Sequence, residues 1–216
     1  MLSMIDFLKR SMHMAVKNHS LDDKIIKSAV EEFLERGFLE ASLHKIAERA
    51  GVTTGALYTR YKNKDALFCS LLEDAFAAFR ERSEQAAEKY AAVESGSSSD
   101  FLAAMEYEGQ IYFDVFFEHY EACVLLFCKS GGSSAEQTLK SVIYHKVRST
   151  VDFLKKTAKQ PVNSDAVRLL MEADFHIYRQ LLESGLEKPK AAACMKTVQD
   201  FLNSGWRELY ERLHSA

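Results

Sequence analysis

The sequence predicts an all-α fold, and three observations lead there. Only Pro161 and Pro189 interrupt 216 residues, and nine glycines are present, so few positions break a helix. Ala, Leu, Glu and Lys, all strong helix formers, are plentiful. Apolar residues recur three and four apart along most of the chain, the period of a helix with one buried face. With 47% apolar residues the chain can bury a full core, which excludes a disordered segment.

The first helix is expected over residues 22–36, where Ile25, Ile26, Ala29, Val30, Phe33 and Leu34 fall on one stripe and Gly37 ends it. Ser42 caps a short second helix with Leu43, Ile46 and Ala47 turned inward. Ala50, Gly51 and Val52 supply a turn, and Thr53 caps the third helix. Leu57 and Tyr61, four apart, face the core and leave Thr54, Gly55, Tyr58, Thr59 and Arg60 outward. A long fourth helix is expected from Asp65 to near Glu94, packed through Leu67, Leu71, Leu72, Ala75, Phe76 and Phe79. Residues 95–99, a Ser-Gly-Ser-Ser-Ser run, read as a linker, and residues 131–134 as the next break. Further helices are expected near 100–117, 119–130, 134–159, 164–184 and 189–213, with Ser134 and Gln137 as a capping box and Pro189 in a first turn. Residues 1–18 hold four methionines and read as an N-terminal extension; Met12 or Met14 is an alternative start. The expected organisation is thus a three-helix helix-turn-helix domain at 19–79 joined to a larger helical domain at 80–216, which binds a ligand and dimerises.

Charge sharpens the reading of the short helices. The chain carries a net −3, yet residues 1–19 hold +2, residues 20–64 hold +1 and residues 65–216 hold −6. Residues 41–64 present Lys45, Arg49, Arg60, Lys62 and Lys64 against Glu48 alone, which is the local balance a DNA-facing surface needs. In a helix-turn-helix the second helix enters the major groove, so its outward face must be short, polar and free of acid. Thr54, Thr59 and Arg60 offer donors and acceptors to base edges, and Gly55 and Ala56 leave room for close approach. Ser42, Thr53 and Lys64 lie at helix starts, where unpaired N–H groups favour phosphate.

The run from Ser42 to Leu67, with Ile46-Ala47, Ala50-Gly51-Val52, Leu57-Tyr58, an aromatic Tyr61 and Lys64 ahead of the fourth helix, resembles the signature of the TetR family of regulators. The resemblance covers about residues 19–79. It implies that Tyr58 and Lys64 touch phosphates and that Thr53, Thr54, Gly55 and Thr59 lie at the groove; with Ser42, Arg60 and Lys62 these form the candidate DNA-binding set. Two departures stand out: Arg60 occupies a position where the family often has His, and Tyr61 one where it usually has Phe. The operator sequence therefore does not carry over.

Downstream, Tyr107, Phe113, Phe116, Phe117 and Phe127, with His176 further on, are candidate ligand-binding residues in a stretch that mixes rings with acids. Rings at helical spacing equally build a core. Val167, Leu170, Met171, Ile177, Tyr178, Leu181 and Leu182 form one broad stripe, and Met195, Val198, Phe201, Leu202, Trp206, Leu209 and Leu213 another. Two such helices can pair with their two-fold mates in a homodimer, or both bury within one subunit. His119 with Cys123 and Glu172 with His176 stand four apart, but two ligands do not close a metal site, so neither metal nor cofactor is expected. Nucleophile elbow, phosphate-binding loop, dinucleotide fingerprint and zinc-protease motif are all missing, which argues against an enzyme. The longest apolar run, residues 122–128, is far below the ~20 residues a membrane span requires. No secretory leader is apparent and the four cysteines are dispersed, so a reducing cytoplasm is expected. The expected function is a ligand-responsive DNA-binding regulator, a repressor released from double-stranded operator DNA by a small molecule. The alternative is a redox-responsive regulator sensing through Cys123 or Cys128.

Overall fold

A computed structural model of the chain describes residues 19–91 and 98–215. These residues form ten α-helices and one π-helical turn, without a strand among them. In order they are α1 (His19–Glu40), α2 (Leu43–Ala50), α3 (Thr54–Arg60), α4 (Lys64–Ser70), α5 (Glu73–Ala91), α6 (Ser98–Glu118), α7 (Tyr120–Val124), the π-turn (Leu125–Lys129), α8 (Ser134–Thr157), α9 (Ser164–Glu183) and α10 (Lys188–His214). The all-α expectation holds. Residues 1–18 and the greater part of the expected linker, 95–97, lie outside the described residues, and 98–99 already belong to α6.

Gly37 (φ 73, ψ 169) leaves the helical conformation and stops the first stretch of α1 as expected, and a separate short turn follows to Glu40. Three local expectations are corrected. The long fourth helix is two helices, α4 and α5. The Leu71 N–H bonds Phe68 O at 3.1 Å and the Leu72 N–H bonds Cys69 O at 3.0 Å, tightening the chain into a short turn that the unbroken apolar pattern concealed. The helix expected at 119–130 starts after a break at His119 (φ −123, ψ 46) and widens into the π-turn at Leu125. The cap of α8 is Ser133, whose Oγ accepts the Glu136 N–H at 3.2 Å while the Glu136 carboxylate accepts the Gly132 N–H at 2.8 Å. This is reciprocal capping one residue ahead of the expected Ser134–Gln137 pair, and it leaves Ser134 for another partner.

Burial divides the core into three clusters. One gathers Ile25, Phe33, Ile46, Leu57, Leu67 and Phe68 of α1–α4 and is closed by Leu125, Leu126 and Ala135 from the π-turn and α8. A second packs Phe79 of α5, Phe113, Val115 and Phe116 of α6, Tyr178 and Leu182 of α9 and Met195 of α10. The third joins Leu102, Val147, Leu154, Met171, Trp206 and Tyr210. The N-terminal helices thus meet the first turn of α8 through α4 and the π-turn through α1.

Among the C-terminal helices, Lys146 of α8 pairs with Glu108 of α6, and Asp174 of α9 lies within electrostatic reach of both. Burial pushes the Asp174 carboxyl from 3.8 up to about 6, with Lys146 opposing the rise and Glu108 adding to it. A carboxyl whose folded value is raised binds its proton more tightly in the folded chain. Its contribution to stability therefore declines as pH climbs from about 4 through about 6, and the full cost remains above that window. Asp174→Asn carries no such cost. It is expected to melt higher than the parent at pH 7.5 and to lose that advantage near pH 4; an equal gain at both pH values would rule this origin out.

Candidate nucleic-acid interface

The geometry of the α2–α3 pair is set from below by α1. Glu32, only 1% exposed, accepts the Ser42 N–H at 3.1 Å and faces Arg49 of α2 at 3.6 Å. This buried carboxylate fixes the entry of α2, and sequence reading missed it although Glu32 sits on the inward stripe between Ala29 and Phe33. Ser42 Oγ caps α2 by accepting the Lys45 N–H at 3.5 Å. Gly51 adopts φ 71, ψ 30, the left-handed conformation that a tight interhelical turn requires, and the Val52 N–H closes the turn on Ala47 O at 2.9 Å. Thr53 Oγ1 accepts the Ala56 N–H at 3.1 Å and starts α3. Leu57 and Tyr61 are buried as expected, which orients the helix.

The outward face of α3 then presents Gly55, Tyr58, Thr59 and Arg60, with Thr54 half-buried beside them and no acid among them. Tyr58 is 52% exposed, unusual for a ring with no core role. A Cβ on Gly55 would meet only Thr53 Oγ1 at 3.8 Å, so nothing within the chain requires glycine there, and its bareness favours close approach from outside. Lys62 is exposed in the following turn, and Asn63, which sequence reading passed over, caps α4 by accepting the Ala66 N–H at 2.7 Å. His44 and Lys45 are exposed in the first turn of α2 and extend the basic surface.

Three candidate DNA-binding residues also have partners within the chain. The Thr59 hydroxyl donates to Gly55 O at 3.0 Å, which leaves its oxygen able to accept. Lys64 Nζ donates to Leu39 O at 2.9 Å and Ala41 O at 3.1 Å and stands 4.9 Å over the Phe38 ring. An ammonium has three donors, so one remains for a phosphate. Arg60 Nε binds Asp22 Oδ1 at 2.7 Å and its Nη1 donates to Ala56 O at 3.2 Å. Because Asp22 is buried on α1, Arg60 is committed to holding α3 against α1. Arg60→Ala is expected to lower the melting temperature and leave the order of preferred DNA sequences unchanged, whereas Thr59→Ala should change that order with little loss of stability. Selection from random DNA alongside thermal melts separates the two; a reordered preference for Arg60→Ala would reassign it to base contact.

The candidate ligand-binding residues disperse. Phe113 and Phe116 are core, and Tyr107 and Phe117 pack against the same cluster, because the α6 rings interlock with α5 and α9 and fill the space between them. Phe127 packs on this cluster too, and with His176 it also lines a groove of about 850 Å³ between α8 and α9. Its apolar wall includes Leu139, Ile143, Val147 and Phe175, and Lys140, Arg168 and Arg179 stand along it, each paired with a carboxylate of its own helix. Periodicity alone does not tell a ring facing a groove from one facing a neighbouring helix. Burial pushes the Cys123 thiol up to about 12 and the Cys128 thiol up to about 11, so both hold their protons at neutral pH and present little thiolate for oxidation.

Residues 25–71 match the bacterial regulatory proteins of the tetR family. Over 62 residues the chain is 39% identical to the fatty acid metabolism regulator protein of Bacillus subtilis (strain 168), covering 29% of this chain and 32% of that protein, so it spans about a third of the relative's length. It is 24% identical over 153 residues to the HTH-type transcriptional regulator YhgD of the same organism, 69% of this chain and 74% of that one. Among solved structures, a TetR-like transcriptional regulator from Rhodococcus sp. RHA1 superposes with a TM-score of 0.60 at 20% identity, covering 90% of this chain and 98% of that chain. SCO3833 of Streptomyces coelicolor A3, a member of the TetR transcriptional regulator family, gives 0.59 at 19% identity with 91% and 95% coverage.

Proposed function

We propose that the chain, whose residues 25–71 match the tetR family of bacterial regulatory proteins, is a dimeric repressor of that family that grips operator DNA through α2 and α3 and is released by a small molecule. The observation that carries this reading is the face of α3: Gly55, Tyr58 and Thr59 stand outward from a glycine-turned helix pair, free of acid and flanked by exposed Lys45 and Lys62. The family match at residues 25–71 spans this segment, so it supports DNA binding and is silent about the effector. On this reading residues 19–79 are the DNA-binding domain and residues 80–216 the effector and dimerisation domain. On the same reading the protein works in the cytoplasm, where its DNA lies.

Two heads held by one dimer read two half-sites, so the operator is near-palindromic. The effector acts by preferring the state whose head spacing does not fit; equal affinity for both states would shift nothing. The groove between α8 and α9 is its seat, since it combines an apolar wall with a few fixed polar groups. Selection of bound sequences from random DNA should return a near-palindrome, and metabolites screened against that site should include one that releases it. A chain that enriches no sequence overturns the proposal. The redox alternative requires a reactive thiolate, and the raised Cys123 and Cys128 values speak against it.

A further inference from the structure

The loop at residues 130–133 has two sides. On one, Ser130 and Gly131, with Glu136 just beyond, line the α8–α9 groove. On the other, Gly132 (φ 85) lies so close to α1 that a Cβ there would fall 2.5 Å from Leu39 Cδ2. Directly after the loop, the Ser134 N–H donates to Asp65 Oδ1 at 2.8 Å and the Ser134 hydroxyl donates to Asp65 Oδ2 at 2.6 Å. One carboxylate at the start of α4 thus grips the first turn of α8 with both oxygens, and Cys69 Sγ sits 3.2 Å from the same hydroxyl. Asp65 follows Lys64, whose ammonium holds the carbonyls of Leu39 and Ala41 immediately ahead of the Ser42 cap of α2. Two sets of hydrogen bonds, joined along the chain at Lys64–Asp65, therefore lie between the groove wall and the entry of the reading helices.

We propose that the Asp65–Ser134 pair is the link through which occupancy of the α8–α9 groove reaches the DNA-reading helices, an inference that rests on the effector-released reading above. Both hydrogen bonds end on one carboxylate, at 2.8 and 2.6 Å, so they break together when the first turn of α8 shifts. Their loss frees the start of α4 to move with Lys64 and changes the setting of α2. The apolar contacts of Leu126 and Ala135 with the head are non-directional and tolerate such a shift. The link is thus the directional element of the joint, and removing it should disconnect groove from head while leaving each intact.

A double-mutant cycle tests this without knowledge of the effector. Ile143 lines the groove, and Ile143→Trp serves as a built-in occupant that wedges α8 from α9. Operator affinity, measured by fluorescence anisotropy on a sequence selected with the parent chain, is compared in the parent and in a Ser134→Ala/Asp65→Ala background. The wedge is expected to weaken binding about tenfold in the parent, within the usual range of allosteric coupling, and less than about threefold in the link-free background. An equal loss in both backgrounds overturns the proposal, as does no loss in either while operator binding persists. Leu139→Trp, from the same groove wall, repeats the cycle should Ile143→Trp lack a cooperative melt. Failure to select any operator is seen before a wedge is made and overturns the DNA-binding reading along with this one.

Discussion

Leu169→Glu combined with Phe201→Glu should turn a dimer into a monomer and weaken operator binding by roughly a hundredfold or more, because a single head retains only one half-site's contacts. Val167, Met171, Tyr178, Leu181 and Leu182 of α9 are buried within the subunit, but Leu169 is 58% exposed and Leu170 47% exposed. At 100° per residue, Ala166, Leu169, Leu170 and Ala173 lie on a face distinct from the one formed by Arg168, Glu172, Phe175 and Arg179, which lines the groove. On α10, Phe201 is 79% exposed and shares its face with Cys194, Thr197, Ser204 and Gly205, all exposed and all small enough to let a second helix approach. Large apolar side chains at such exposure are what a dimer buries. Two charges placed in that contact cost their desolvation on association and nothing in the free subunit. Light scattering should report the monomer, and circular dichroism an unchanged fold. Retention of a dimer, or a parent chain already monomeric at micromolar concentration, would move the contact elsewhere or remove it.

The same two helices mark how far the sequence could be read. Apolar spacing placed α9 and α10 within a few residues, since each carries a stripe too wide for one partner. It did not divide the stripe: Val167 and Leu170 look alike in sequence, yet Val167 packs among residues of α6, α8 and α10 while Leu170 stays outside. The turn at Gly51 and the caps Ser42 and Thr53 were legible because each depends on neighbours within five residues. Glu32, Arg60 and Asp65 act across 10, 38 and 69 residues, and no local pattern encodes such pairings. The break at Leu71 escaped for the opposite reason, since leucine suits both a helix interior and a tight turn within a core. The aromatic stretch misled because a ring packed against a helix and a ring facing a groove have the same spacing.

That last ambiguity yields the other large effect. Phe116→Ala should destabilise the chain by about 3–5 kcal/mol, whereas Phe117→Ala should cost much less. Phe116 is fully buried, with ring centroids of Phe127 at 5.1 Å, Tyr178 at 5.4 Å, Phe79 at 6.0 Å and Tyr112 at 6.3 Å. Its removal leaves a cavity walled by four aromatic rings from α5, α6, α9 and the π-turn, three of them edge-to-face and one stacked, and rings held by their own neighbours are poorly able to collapse into it. Phe117, about 100° around α6, is only partly buried and pairs with Phe113 at 4.8 Å and Tyr120 at 6.0 Å, so water and side-chain motion soften its loss. At roughly 2–4 °C per kcal/mol for a chain of this size, the first substitution should lower the melting temperature by about 6–20 °C. Because neither ring lines the groove, both variants should keep operator binding and its release at temperatures below their melts. A Phe116→Ala chain that melts like the parent yet no longer responds to an effector would place the ligand inside the aromatic cluster and not between α8 and α9.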